Sequence, residues 1–139
     1  MIHEGNQWPH IGGAPAVLPI TQMEWEIYPD GLRDFLVRTA QEYSGDLPIF
    51  ITENGMANPD EVDIADEARI AYLTAHLNAV QEAIAAGAPV AGYFCWSLLD
   101  NYEWALGYEK RFGLVHVDLE TLERTPKASF NDLAAWWAR

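Results

Sequence analysis

The stretch "PIFITENGMANPD" (residues 48–60) decides how the rest of the chain is interpreted. It opens with an apolar, β-prone run, Ile49 to Ile51, and then presents Glu53 immediately before Asn54 and Gly55. Asn-Gly is a common hairpin turn, which would make Glu53 an incidental surface residue. Alternatively, Glu53 lies at the carboxyl end of a parallel strand, where α/β folds place their chemistry.

The residues that follow Gly55 favour the parallel strand. A hairpin requires a second alternating strand, but the chain runs through polar loop residues into a helical pattern. Gly87 is the expected C-cap of that helix, and Pro89 prevents its continuation. The apolar residues that predict the helix recur at steps of three and four, at Ile70, Leu73, Leu77, Val80 and Ile84.

The other segments extend a βα repeat. A helical pattern covers 31–43, and the unbroken apolar run at 90–97 is typical of a parallel strand that is covered on both faces. An extended excursion with a turn is predicted within 111–130, followed by a last helix, whereas residues 1–30 predict an irregular loop. The predicted fold class is α/β: a single partial domain over 1–139, built as part of a (β/α)8 barrel, which needs about 250 residues when complete.

Composition and charge restrict the partners. Half of the residues are hydrophobic, with six Trp and six Tyr, which indicates a folded core. The net charge of −13 disfavours nucleic acid and anionic membranes, so a neutral ligand or a protein partner is expected. Cys95 is the single cysteine, so no intrachain disulfide forms. Neither a signal peptide nor a membrane-spanning run is visible, and a soluble, cytoplasmic protein is expected.

The loop after the second predicted strand is crowded with aromatic residues. Ring faces cover the C–H face of a pyranose, and a carboxylate accepts hydrogen bonds from its hydroxyl groups. For any one Trp, core packing is the better explanation, but it is weaker for Glu103-Trp104 because Glu is rarely buried without a partner. The residues concerned lie within seventeen positions and are Trp96, Tyr102, Glu103, Trp104, Tyr108 and Phe112.

Two motifs carry a family resemblance. "ITENG" followed by "WSLLDNYEWALGYEKRFGL" resembles the carboxyl-terminal part of glycoside hydrolase family 1, the β-glucosidase family. "TQMEWEIYPDGL", "DEARIAYLTAHL" and "RTPKASF" are similar to it as well, so the resemblance covers essentially the whole chain. It implies that the chain supplies the sixth helix, the last two strands and the last two helices of the barrel. Glu24 departs from the family pattern, which has a small, glycine-like residue there.

The resemblance also implies a role for individual residues. Glu53 matches the catalytic nucleophile, and Trp96 matches a tryptophan in the wall of the glycone pocket. Glu103 and Trp104 match the pair that binds the distal hydroxyls of the non-reducing sugar, and Phe112 matches an aromatic residue of the same subsite. The implied enzyme is a retaining β-glucosidase that hydrolyses O-β-glucosides through a covalent glycosyl-enzyme on Glu53.

The second half of that machinery is missing from the 139 residues. Retaining glycosidases use two carboxyl groups about 5–5.5 Å apart. The resemblance implies that the acid/base lies in an Asn-Glu-Pro motif on an earlier strand, yet no such motif occurs here and Glu4 does not fit it. We therefore expect the isolated chain to be inactive. It should require the amino-terminal part of the same barrel, or self-associate through its unpaired strand edges.

A phosphoglycosidase and a non-catalytic fragment are the alternative functions for this sequence. In a 6-phospho-β-glycosidase of the same family, Glu103 would repel the phosphate. A non-catalytic carbohydrate-binding or assembly fragment would bind sugar with the aromatic loop and leave Glu53 idle. No cofactor and no metal site are expected, because the histidines lack ligand spacing; they are His3, His10, His76 and His116.

Overall fold

The computed structural model describes residues 17–58 and 62–138, so Glu4, His3, His10 and half of the predicted amino-terminal loop lie outside it. No helix in that described part is long and apolar enough to cross a membrane. The elements are α1 (Pro29–Thr39) with a π-helical turn (Ala40–Ser44), β1 (Ile49–Asn54), α2 (Glu67–Ala85), β2 (Val90–Cys95), β3 (Val115–Val117), β4 (Arg124–Pro126) and α3 (Ala128–Trp137).

β1 and β2 pair in parallel, which excludes a hairpin at Asn54-Gly55. β1 continues to Asn54, three residues beyond the apolar run from Ile49 to Ile51, so Glu53 belongs to the strand itself. Ile51 pairs with Tyr93 and Asn54 with Cys95, so two residues of β1, Thr52 and Glu53, are accommodated against one of β2. This irregularity is a β-bulge, a feature that bends a strand and redirects its side chains.

The core lies between the helices and one face of this sheet. Ile51 is buried against Leu36 of α1 and against Val80 and Ala83 of α2. Ile84, the last residue of the apolar pattern that predicted α2, is 48% exposed in the last turn of the helix. The buried face of α2 is broader than one stripe because the helix packs between α1 and α3. It consists of Arg69, Tyr72, Leu73, His76, Leu77, Ala79, Val80 and Ala83.

The opposite face of the sheet is open. Successive side chains of a strand point to opposite faces, so Phe50 lies on the side away from Ile51. Phe50 is 53% exposed and Phe94 is 59% exposed. The prediction that β2 is covered on both faces was therefore wrong for this chain, because the described helices cover one face only.

A buried ion pair ties the loops after both strands together. Arg69, in the first turn of α2, donates from Nε to Asp66 Oδ2 at 2.8 Å, and both side chains are fully buried. The guanidinium also donates to the carbonyl oxygens of Met56, Arg111 and Phe112. The loop after β1 and the loop after β2 are consequently held by one side chain.

Asp66 extends this cluster to α3. Its Oδ1 accepts a hydrogen bond from Asn58 Nδ2 and its Oδ2 accepts one from Ser129 Oγ, each at 2.5 Å. The β3–β4 hairpin is the predicted extended excursion, and its antiparallel strands lead directly into α3. The buried carboxylate of Asp66 therefore fixes where α3 begins relative to the loop after β1.

A second buried carboxylate, Asp100, anchors the hairpin. Its Oδ1 accepts hydrogen bonds from the Gly113 amide at 2.9 Å and from Lys127 Nζ at 3.3 Å. His116 Nδ1 lies 3.4 Å from Oδ2. Burial lowers the pKa of the Lys127 ammonium, while the neighbouring Asp100 carboxylate acts in the opposite direction. These contacts hold the segment that follows the aromatic loop against the end of β2.

Candidate active site

An open cleft of about 490 Å³ lies at the carboxyl ends of β1 and β2. It contains all five site residues that the sequence predicts, although they are separated by up to 59 positions along the chain. The lining residues are Trp25, Glu53, Asn54, Gly55, Tyr72, Trp96, Glu103, Trp104 and Phe112. The structure thus brings the predicted residues together; the catalytic or binding role of each stays a prediction.

Glu53 reaches the cleft from the β-bulge of β1, and its side chain is exposed. The next turn is tight because β2 approaches closely: a Cβ on Gly55 would lie 1.7 Å from the carbonyl oxygen of Trp96. Only glycine leaves room for that approach. The Asn-Gly dipeptide therefore serves contact between two parallel strands and not a hairpin.

The side chain of Asn54 is held by two tyrosines. Its Nδ2 donates to the Tyr72 hydroxyl oxygen at 3.2 Å, and its Oδ1 accepts from the Tyr93 hydroxyl at 2.7 Å. Burial raises the pKa of both phenols, so both stay protonated at neutral pH. Burial also raises the pKa of the neighbouring Cys95 thiol to about 11, which keeps it neutral.

Trp96 and Phe112 form the wall on the β2 side. The Trp96 amide donates to the carbonyl oxygen of Asn54 at 3.0 Å, and the peptide bond from Trp96 to Ser97 is cis. Phe112 is almost fully buried, and its carbonyl oxygen accepts hydrogen bonds from the Ser97 amide and from Arg69 Nη1. The fixed backbone on this side therefore holds one exposed and one buried ring at the cleft.

Glu103 and Trp104 come from the loop between β2 and β3. Trp104 begins a short 3₁₀ turn, Trp104–Leu106, and is 82% exposed. The turn is closed by a hydrogen bond from the Glu103 amide to the carbonyl oxygen of Gly107 at 2.6 Å. Next to it, Tyr102 and Tyr108 pack edge to face. An exposed indole and a carboxylate at the mouth of a cleft suit a polar ligand with an apolar face.

Trp25 was missed by the sequence analysis. It lies in a turn in which the Thr21 amide donates to the Trp25 carbonyl oxygen at 2.9 Å. Lys110 Nζ donates to the Gln22 carbonyl oxygen at 3.0 Å and so ties this turn to the aromatic loop. The aromatic residue within "QMEWEIYP" was the available signal, but the segment was interpreted as an irregular loop with a family resemblance, and Trp25 was assigned no role.

Glu24, the departure from the family pattern, sits in the same turn with a φ of 60°. This left-handed conformation is unfavourable for a residue with a Cβ, and it explains why a glycine suits the position. The described residues contain no group of three or more His, Cys, Asp or Glu that could hold a metal ion.

Comparison with known proteins gives consistent matches. The family model for glycosyl hydrolase family 1 matches residues 6–137. A bifunctional β-D-glucosidase/β-D-fucosidase of Bifidobacterium breve is 49% identical over 90% of this chain and 28% of that protein. A 6-phospho-β-galactosidase of Streptococcus mutans is 47% identical over 89% of this chain and 26% of that protein.

Solved structures agree with the sequence matches. A psychrophilic β-glucosidase from Micrococcus antarcticus superposes with a TM-score of 0.83 at 49% identity, covering 88% of this chain and 27% of that one. A family 1 β-glucosidase from Thermotoga maritima in complex with isofagomine lactam gives 0.80 at 44% identity, covering 90% and 28%. The chain thus spans little more than a quarter of the relatives it matches, which is consistent with part of a barrel.

Proposed function

Since the chain belongs to glycosyl hydrolase family 1, we propose that it is the nucleophile-bearing, carboxyl-terminal part of a retaining β-glucosidase. The observation that carries this proposal is the cleft at the ends of the parallel strands, which gathers Glu53, Glu103 and the rings of Trp96, Trp104 and Phe112. The carboxyl end of a parallel barrel is where enzymes of this architecture act.

The residues supply one side of a two-carboxylate mechanism. Glu53 as carboxylate attacks the anomeric carbon, and the bond from that carbon to the glycosidic oxygen breaks as the new ester forms. The leaving oxygen takes its proton from an acid, and water, deprotonated by the same group, then cleaves the ester. In this scheme Trp96 and Trp104 cover the apolar face of the sugar, and Glu103 accepts hydrogen bonds from its distal hydroxyl groups.

The acid/base is proposed to come from the part of the barrel that precedes this chain in its relatives. A relative such as that of Bifidobacterium breve is matched over only 28% of its length. The exposed side chains of Phe50 and Phe94 face the side on which those earlier strands would lie. Completion of the barrel would therefore cover this apolar face and bring the second carboxyl group to Glu53.

A phosphorylated substrate is the second candidate, because relatives at 46–47% identity are 6-phospho-β-galactosidases. Two contacts disfavour it here. The Glu103 carboxylate in the cleft would repel a phosphate group. The nearby Lys110 ammonium donates to the Gln22 carbonyl oxygen and so serves to tie two loops together. We therefore propose an unphosphorylated glycoside.

The test joins this chain to the preceding part of a relative. The Thermotoga maritima β-glucosidase is suitable, with this chain replacing the segment it matches. The joined protein and the 139-residue chain are assayed on an aryl β-glucoside and an aryl 6-phospho-β-galactoside. Of the two proteins, we expect only the joined protein to turn over substrate. We expect it to prefer the aryl β-glucoside to the aryl 6-phospho-β-galactoside.

Covalent trapping identifies the nucleophile. An activated 2-deoxy-2-fluoro-glucoside should inactivate the joined protein, with the label on the peptide that contains Glu53. Glu53→Gln is the matched control and should abolish both labelling and turnover. Full activity of Glu53→Gln would disprove the nucleophile. Sugar binding without labelling would instead support a non-catalytic carbohydrate-binding fragment, and turnover by the isolated chain would show that it needs no partner.

A further inference from the structure

The carboxylate of Glu53 projects from a stretch of β1 that is not regularly paired with β2. Between Ile51 and Asn54, β1 carries one residue more than β2. The upstream end of the resulting bulge is anchored by Ile51, which is buried in the core. The direction of the Glu53 side chain therefore depends on how firmly the downstream end, Asn54, is fixed.

Asn54 is fixed on both sides of the strand. Its carbonyl oxygen accepts from the Trp96 amide at 3.0 Å, which joins it to β2. Its side-chain amide bridges Tyr72 on α2 and Tyr93 on β2, donating to the first and accepting from the second. A carboxamide is suited to this position because it offers a donor and an acceptor at once, whereas a carboxylate only accepts and an aliphatic side chain does neither.

The two tyrosines are themselves restrained. The Tyr72 ring stacks on His76 with centroids 3.9 Å apart, and the His76 Nδ1 lies 2.8 Å from the Tyr72 carbonyl oxygen. The Tyr93 ring packs against Trp137 of α3, with centroids 6.0 Å apart. The hydroxyl groups that hold the amide are thus positioned by α2 and α3.

We propose that Asn54 is a positioning residue, whose amide, clamped between the hydroxyls of Tyr72 and Tyr93, fixes the bulge that aims Glu53 into the cleft. This clamp rests on the proposed function of Glu53 as the nucleophile. It acts through the backbone of β1, since the Asn54 amide is hydrogen-bonded to the two tyrosines while the exposed Glu53 side chain is left to face the cleft.

Tyr93→Phe tests the clamp, because it removes one hydroxyl from a residue that does not line the cleft. Tyr43→Phe, at an exposed position on the π-helical turn, is the matched control. In the 139-residue chain, hydrogen exchange of the Trp96 amide reports on its bond to Asn54. We expect exchange about tenfold faster in Tyr93→Phe, the effect of one lost hydrogen bond, with Leu77 and Val80 in α2 unchanged.

The joined protein supplies the functional measurement. Tyr93→Phe should slow covalent labelling of Glu53 by about tenfold, while the affinity for a reversible glucose-like inhibitor stays within about twofold of the unmodified protein. Asn54→Leu should slow labelling further. The combination of Tyr93→Phe with Asn54→Leu should add nothing to Asn54→Leu alone, because both remove the same clamp.

Each result decides one claim. Unchanged exchange at Trp96, or labelling as fast as in Tyr43→Phe, would overturn the positioning role. Equal losses of labelling rate, inhibitor affinity and thermal stability would also overturn it, since they indicate a general structural defect. If the unmodified joined protein is never labelled, the nucleophile assignment fails, and the exchange measurement alone decides whether Asn54 holds the bulge.

Discussion

The two faces of the parallel sheet differ in what covers them. On one face Ile51 is packed under α1 and α2, and the loops beyond it are joined through Arg69 and Asp66. On the other face Phe50 and Phe94 are more than half exposed. The covered face determines the local fold, whereas the open face and the adjoining cleft hold the residues proposed for chemistry. Substitutions on the covered face should therefore change the stability of the 139-residue chain, whereas substitutions on the open face should matter only once the rest of the barrel is present.

The largest loss of stability is expected from Arg69→Met. The change leaves the Asp66 carboxylate buried without its cation and removes one hydrogen-bond donor from each of three carbonyl oxygens, those of Met56, Arg111 and Phe112. Breaking a buried ion pair in this way costs about 3–5 kcal/mol. Arg33→Met is the control, because Arg33 makes ion pairs on the surface, where water and salt screen them. Urea unfolding followed by tryptophan fluorescence compares the two, and similar losses would contradict the buried cluster's importance.

The next prediction compares neighbouring residues on opposite faces. Ile51→Ala should lower the free energy of unfolding of the 139-residue chain by about 2–4 kcal/mol, because it leaves a cavity in the core. Phe50→Ala should cost less than about 1 kcal/mol, since the side chain is largely in solvent.

The difference in unfolding free energy between Ile51→Ala and Phe50→Ala should disappear in the joined protein. There the open face is covered, so Phe50→Ala becomes destabilising. If Phe50→Ala already costs as much as Ile51→Ala in the 139-residue chain, that face is covered in solution by another copy. Sedimentation at several concentrations would then reveal an oligomer.

Local patterns predicted most of the element order. The spacing of Leu73, Leu77 and Val80 indicated α2, and the absence of an alternating strand after Gly55 excluded the hairpin. Both follow from short-range periodicity, which survives in any tertiary context. The burial of Arg69 was not predictable, because its acceptors at Arg111 and Phe112 lie more than forty positions away.

The candidate site was predicted from the family resemblance and only in part from chemistry. Glu53 was recognisable as a carboxylate at the end of a strand, and Glu103 as a carboxylate in an aromatic loop. The turn that carries Trp25 is tied to the rest of the chain by long-range hydrogen bonds between Lys110 and Gln22 and between Gln22 and Ala57, which no local pattern reveals. The clamp on Asn54 likewise depends on phenols at positions 72 and 93. Contacts of this kind require the folded structure.

Glu24→Gly should stabilise the chain modestly. Glu24 has a φ of 60°, a left-handed conformation that glycine adopts without strain. Glycine also adds conformational entropy to the unfolded chain, which offsets part of this gain. The net stabilisation should be about 0.5–1 kcal/mol. Glu24→Ala is the matched control, because it removes the same charge but keeps a Cβ. Thermal unfolding should show a gain for the glycine variant only. A gain of equal size in both variants would assign the effect to the charge.

The smallest effect concerns pH and the support of the Asn54 clamp. Burial lowers the pKa of His76, although the hydrogen bond to the Tyr72 carbonyl oxygen acts in the opposite direction. Below the unfolded value of about 6.5 the unfolded chain therefore takes up a proton that the folded chain does not, and stability falls as pH falls. His76→Phe keeps a ring against Tyr72 but cannot titrate. The free energy of unfolding should drop more between pH 7.5 and pH 5.5 in the unmodified chain than in His76→Phe. Equal drops would show that other groups cause the pH dependence.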